Sequence, residues 1–405
     1  MLGKNFQRNI FIGIVVGIAL GTVLNHIPSQ GLISFMDGLG DVFLRLLKLI
    51  IVPLVFASIF MSVINLKTFD AVGKLGVRAF LYYFLTTGLA VGLGLILVNL
   101  IKPGSGTDLA TAQMPKVITS NIDASSSVLG SIGQILVSMI SSNPFESFAK
   151  GNILQVIGIA LFFGLIALSI PKESEPIVKL ISSFEKLIIK GIRWIMTIAP
   201  IGVGCLVAVM LARFGFGAVK SLLLYCTTVT VGLIIHGCVI LPMILALAGK
   251  ANPFKLAKLM IPAIATAFST SSSAATLPLT MECVKKAGVS EKTADFILPF
   301  GATVNMDGTA LYESVAVIFI AQAYNIHLPL EAQIVVFITA TLAAVGAAAI
   351  PSAGLVTMGI VLNAVGLPLE GIGLILAVDR ILDMLRTTVN IWGDAVGAQV
   401  IDRMK

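Results

Sequence analysis

Six polar residues interrupt the last apolar run of the chain: Asp379, Arg380, Asp383, Arg386, Asn390 and Asp394. Counted from Asp379 and leaving out Arg380, they fall 4, 7, 11 and 15 residues on, which is one face of a helix with 3.6 residues per turn. A charged residue at the middle of a membrane helix costs roughly 2.5 to 3.5 kcal/mol, so such a face must meet protein, water or a ligand. Arg386 offers a planar fork that matches a carboxylate bidentately, and Asp383 one turn earlier can accept hydrogen bonds from an ammonium group. Together they describe an amino acid with a second carboxylate. The same pair is spaced i,i+3 and also reads as an internal salt bridge, a role that leaves Asn390 and Asp394 without a purpose. A second polar cluster, Asn305-Met306-Asp307-Gly308-Thr309, occurs earlier in the chain. Asp307, Asp394, Asn305 and Asn390 supply hard oxygens, which suit Na+ far better than a transition metal. The three histidines, His26, His236 and His327, lie far from those acids in sequence and read as ordinary interface or core residues.

The elements that carry these groups must be membrane helices. Of 405 residues, 57% are hydrophobic and only 12% charged, about half the charged share of a soluble domain. The apolar runs are continuous rather than alternating, which excludes a β-barrel. The net charge of +7 resides in Lys and Arg at the ends of apolar runs, where it orients a membrane protein and does not indicate nucleic acid. Cys205, Cys226, Cys238 and Cys283 have no C-x-x-C spacing and read as inert thiols. The apolar stretch from Ile10 to Leu24 has no small-residue cleavage site after it and reads as a first transmembrane helix rather than a leader.

Ten apolar runs follow one another, at about 10 to 24, 39 to 66, 75 to 101, 127 to 171, 177 to 212, 219 to 248, 256 to 281, 293 to 323, 333 to 363 and 371 to 400. The stretch from Lys102 to Ser126 reads as an exposed loop, and the 127 to 171 run is too long for one crossing, so it must tilt, break or fold back. With Lys4 and Arg8 inside, the positive-inside rule holds through six crossings. A seventh crossing by 256 to 281 would put Lys285, Lys286 and Lys292 outside; a hairpin that enters and returns removes the conflict, and the same holds for 333 to 363. The expectation is therefore an all-α membrane protein with eight transmembrane helices and two oppositely oriented re-entrant hairpins, both termini cytoplasmic. Both hairpins have small-residue tips, Phe268 to Pro278 around Ser271-Ser272-Ser273, and Ala344 to Gly354. Each precedes a helix with a polar cluster. Such an inverted repeat of interrupted helices is the sequence pointer to a secondary transporter's binding site.

The serine-rich tip, Asn305-Met-Asp-Gly-Thr309, and Asp383-Met-Leu-Arg-Thr-Thr-Val-Asn390 with Gly393-Asp394 make the chain resemble the glutamate transporter family, the dicarboxylate/amino acid:cation symporters, over essentially its whole length. The resemblance implies a homotrimer in a prokaryotic inner (plasma) membrane and an elevator-type mechanism. Scaffold helices would lie at 1–71 and 127–218. A transport domain would comprise 72–126 (helix 3 and its following loop) and 219–405, the latter with hairpins at about 253–287 and 330–364 around helix 7 (about 291–325), and helix 8 at about 369–402. Arg386 would bind the side-chain carboxylate of L-aspartate or L-glutamate, Asp383 the amino group, and Asn390 and Ser273 the α-carboxylate. Ser272, Met306, Thr309 and Thr387 would complete the pocket, and Ile350 and Gly354 would line the gate. One Na+ would lie with Asp394, Asn390, Asn305 and Gly301, a second with Tyr83, Thr86, Thr87, Asn305 and Asp307, and a third with backbone of Thr303, Met306 and Ala344, Val345 and Ala347. Without the resemblance, Tyr83 to Thr87 reads as core. The family's additional arginine, in the first tip or beside the aspartate of the last helix, is replaced here by Ser271 and Met384, which bears on coupling to a counter-transported cation.

Asp394 where proton-coupled relatives carry Asn favours sodium, and Asp383 with Arg386 favours an acidic amino acid. A proton-coupled glutamate or C4-dicarboxylate symporter is the competing reading. An intramembrane serine hydrolase would use Ser271, Ser272 or Ser273 and would need a base brought in from elsewhere, such as His236. A channel would have no use for a substrate-shaped Arg/Asp pair.

Overall fold

The computed structural model describes residues 6–65, 74–105, 137, 140–345 and 353–404, and every regular element among them is helical. The chain begins with α1 (Phe6–His26), α2 (Gln30–Asn65) and α3 (Lys74–Ile101). The long run expected to break does so: α4 (Pro144–Lys150) and α5 (Ile153–Ser169) are separated at Gly151, which has a φ of 67°, and Asn152 caps the second helix from its side chain. This is the normal division of labour at a helix end, a left-handed stop followed by an Asx start.

α6 runs from Pro171 to Ile235, 65 residues with Pro176 and Pro200 inside it. At 1.5 Å per residue that is about 98 Å of helix, three times a hydrocarbon core, so one crossing cannot accommodate it. The domain boundary expected at 218 falls inside this helix. Residues 214–219 are Phe-Gly-Phe-Gly-Ala-Val, without a proline or a polar capping residue to stop it. A π-turn, His236–Ile240, and α7 (Leu241–Leu247) continue the same line.

The remaining helices come in pairs. α8 (Pro253–Thr270) and α9 (Ser273–Lys286) pack against each other across a two-residue turn. α10 (Glu291–Val304) and α11 (Asp307–Ala323) form one interrupted helix, unwound at Asn305 and Met306, where the sequence reading expects a continuous span. The cause is local: Asn, Asp and Gly compete with the helix for backbone hydrogen bonds, and their partners here come from other elements. α12 (Leu330–Val345) packs on α13 (Ala353–Ala364). Ala347 and Ile350 lie outside the described residues. A 3-10 turn, Leu369–Gly371, leads into α14 (Ile372–Arg403).

Two packing groups emerge. α1, α2 and α5 lie against α6. The α1–α6 contact is a small-residue stripe: a side chain at Gly17 would strike the carbonyl of Gly204, so the two backbones touch directly. In the other group α3 packs on α11 and α12, and α14 on α8, α10 and α11. The most apolar 18-residue window of Glu291–Ala323 is wholly buried, whereas those of Gly76–Ile101 and Lys220–Leu247 are only 33% buried. Exposed Phe11, Leu49, Leu100, Phe254 and Trp194 (69% exposed) show where the apolar exterior lies. In water so much bare apolar surface would aggregate; the chain is an integral membrane protein.

Candidate substrate and cation site

The site forms where α14 meets the break between α10 and α11. Arg386 is fully buried and stacks its guanidinium 3.8 Å from the centre of the Tyr312 ring. Its Nη2 donates to Asp383 Oδ1 at 2.7 Å and lies 3.1 Å from Asp379 Oδ1, which also accepts from the Tyr312 hydroxyl at 2.8 Å. The internal salt bridge considered from the spacing is therefore present, but it occupies only one arm of the fork. Nε and Nη1 of Arg386 are buried without a hydrogen-bond partner. Buried guanidinium donors left open this way are costly and mark a place for an acceptor. Gly354 of α13 forms the opposite wall: a Cβ there would sit 2.8 Å from Arg386 Nη1, so only glycine leaves the fork accessible.

One turn further along α14, Thr387 donates to the Asp383 carbonyl at 2.8 Å, and Asn390 spans the break. Its Oδ1 accepts from Gly308 N at 2.8 Å and its Nδ2 donates to Thr309 at 3.2 Å, fastening the start of α11 to α14. Met306 is buried in the break itself. At the first hairpin, Ser271 adopts a left-handed φ of 49° to end α8, and Ser272 caps α9 by accepting from Ala275 N at 3.2 Å. Ser272 and Ser273 are buried, and the hairpin reaches the site through the packing of α8 and α9 on α14.

Two of the three sets of residues expected to hold cations gather on the other side of Asn390. Asn305 Nδ2 donates to Asp394 Oδ1 at 2.9 Å, while its own Oδ1 is buried with no partner. An orphaned amide oxygen beside a buried carboxylate is what a hard cation requires. Gly301 lies so close to Asp394 and the Tyr83 hydroxyl that any side chain would collide with both. Asp307, fully buried, accepts from Thr87 Oγ1 at 2.8 Å on one oxygen and meets His236 Nε2 at 3.0 Å on the other. Tyr83 donates to the Ile297 carbonyl at 3.0 Å, and Thr86 to the Tyr83 carbonyl at 3.2 Å, so both hydroxyls are engaged with backbone. Thr303 directs its side chain outward and bonds the Phe300 carbonyl. Ala344 is buried near the end of α12; Val345 ends that helix and its side chain is not described.

His236 corrects the view that no histidine stands near the acids. The π-turn it begins adds a residue to the helical ring and turns the imidazole toward Asp307. The indole of Trp392 donates to the Gly237 carbonyl at 2.9 Å, securing that turn to α14. His236 thus engages an acid rather than the hairpin serines, and no group of three or more metal-ligating His, Cys, Asp or Glu exists among the described residues. The four thiols are free. Two further residues escaped the sequence reading. Glu313 is buried in α11 and accepts from Thr357 of α13, with Oε2 unpartnered, and Asp379 was placed on the polar face without a role. For Glu313 the signal was available: a lone acid within an apolar run, four residues after Thr309 and on the same face.

Comparison with known proteins finds a family and relatives along the whole chain. The sequence profile of the sodium:dicarboxylate symporter family matches residues 6–404. The chain is 36% identical to the human excitatory amino acid transporter 3 over 99% of its own length and 87% of that protein. It is 33% identical to the proton/glutamate-aspartate symporter of Bacillus subtilis, over 98% of this chain and 95% of that one. A putative sodium-dependent excitatory amino acid transporter of Caenorhabditis elegans is 35% identical over 97% of this chain and 88% of its own.

Proposed function

Because the chain belongs to the sodium:dicarboxylate symporter family, a family of secondary transporters and not enzymes, we propose that it carries L-aspartate or L-glutamate together with Na+ across a cell membrane. The observation that carries this reading is the open half of the Arg386 fork, fully buried and facing Gly354, with Asp383 beside it. The side-chain carboxylate of the substrate takes Nε and Nη1, its ammonium goes to Asp383, and its α-carboxylate meets Asn390 and the Ser272-Ser273 tip. Na+ enters as a second substrate. The partnerless Asn305 Oδ1 with Asp394 suits one ion, and Asp307 with Thr87 another. Neither arrangement requires a resident cofactor.

In the same reading, α8–α9 and α12–α13 are the two hairpins that enter and return. At 14 residues α9 is about 21 Å long, short of a hydrocarbon core of about 30 Å. The group built on α3 and α8 to α14 moves as an elevator against the group built on α1, α2, α5 and the first part of α6, within a homotrimer of an inner membrane with both termini cytoplasmic.

Proton coupling is the second reading. It draws on Glu313, a buried carboxyl with an unpartnered oxygen, and on the proton symporter among the relatives. Uptake of labelled aspartate and glutamate into proteoliposomes decides between the two. A Na+ gradient should drive accumulation and a pH gradient alone should not, with Arg386→Cys inactive toward both substrates. Equal accumulation under a pH gradient without Na+ would replace the first reading with the second.

A further inference from the structure

The last helix carries a second arginine that the pocket as described leaves unused. Arg380 lies three residues before Asp383, its side chain only 11% exposed, with Nη1 3.5 Å from Asp383 Oδ2. That separation is an ion pair but too long for a good hydrogen bond, and Nε and Nη1 of Arg380 are enclosed without a hydrogen-bond partner. Asp383 therefore stands between two guanidiniums, with Arg386 on Oδ1 and Arg380 on the side of Oδ2. Neither guanidinium can shed its proton.

The charges around this point balance. Asp379 and Asp383 are two carboxylates, and Arg380 and Arg386 are two guanidiniums, all within one enclosed stretch of α14. A substrate bound as proposed brings its own ammonium to Asp383. If Arg380 were absent, Asp383 and Asp379 of the empty pocket would share Arg386 alone, leaving one uncancelled negative charge in a dehydrated setting, and such a charge is expensive to move through hydrocarbon. Neither the first-tip position, Ser271, nor the neighbour of Asp383, Met384, supplies a cation.

We infer that Arg380 is the built-in counter-ion of Asp383 in the substrate-free protein, so that the empty pocket returns across the membrane without an external cation in the place of the ammonium. The inference rests on the transport reading above. Arg380 acts through Asp383 as a positioning residue.

Two fluxes separate its role from a structural one. Exchange of labelled for unlabelled aspartate moves only loaded protein, whereas net uptake requires the empty protein to return. Arg380→Gln, which keeps length and removes charge, should lower net uptake at least about tenfold while exchange stays within about twofold of the unaltered protein, as expected when one buried charge is left uncancelled. Arg380→Lys, which restores the charge without the fork, should recover net uptake. Loss of both fluxes together, loss of neither, or failure of the lysine variant to recover net uptake would each overturn the inference. Unaltered protein that neither exchanges nor accumulates acidic amino acids would overturn the transport reading instead, independently of any Arg380 variant.

Discussion

At the scale of single residues, the open donors of Arg386 and the open oxygen of Asn305 are complementary requests, one for an anion and one for a cation, on either side of Asn390. Thr87 tests the cation half. Its hydroxyl donates to Asp307 at 2.8 Å, and hydrogen bonds to charged groups are worth about 1.5–3 kcal/mol. Thr87→Val should therefore weaken the apparent Na+ affinity by about ten- to a hundredfold, at about 1.4 kcal/mol per factor of ten. Aspartate affinity at saturating Na+ should change little. An unaltered Na+ dependence of uptake would remove Asp307 and Thr87 from the cation path. The polar face of α14 was legible in the sequence because an apolar background makes each charge conspicuous. The meeting of His236 with Asp307, 71 residues away, was not: a π-turn has no local signature, and pairing across such a separation depends on how the helices stack.

At the scale of elements, the breaks were more readable than the joins. The serine tip could be read because three small polar residues interrupt an apolar run, and it ends α8 as expected. The break at Asn305 and Met306 carries the same kind of signal, yet in the sequence it reads as a polar patch on a continuous span, since an Asn-x-Asp-Gly cluster favours unwinding only where other elements supply its hydrogen bonds. Asn390 and Asp394 supply them here. The uninterrupted α6 went the other way, with two glycines too weak to stop it. One join between elements yields a stability prediction. The start of α10 is held by the far end of α14, where Asp402 accepts from Ser290 N at 3.1 Å and from the Ser290 and Thr293 hydroxyls at 2.6 Å each. It serves as an N-cap delivered from a distant helix. Asp402→Ala should cost about 1–2 kcal/mol, the usual worth of a cap. A drop of a few degrees in the melting temperature of detergent-solubilised protein is expected, with substrate selectivity retained. An unchanged melting temperature would show that water replaces the carboxylate at no cost.

At the scale of the whole molecule, sidedness is the property on which the transport reading depends. Lys285, at the end of α9, pairs with Asp295 at 2.8 Å, and that hydrogen bond pushes its pKa above the usual lysine value. An ammonium held charged at all physiological pH values belongs at water. Glu370 sits in the 3-10 turn before α14, beyond the second hairpin. With cysteines placed singly at 285 and 370, an impermeant maleimide added to sealed cells should label position 370 and reach position 285 only after the membrane is opened. Labelling of both from the same face would exclude hairpins that enter from opposite sides. The chain holds two tryptophans, and they lie in very different places. Trp194 looks onto the apolar exterior, while Trp392 is buried two residues before Asp394 with its indole tied to Gly237. Bromine-bearing acyl tails would darken the first fluorophore and spare the second, leaving a native optical probe beside the residues proposed to bind ions.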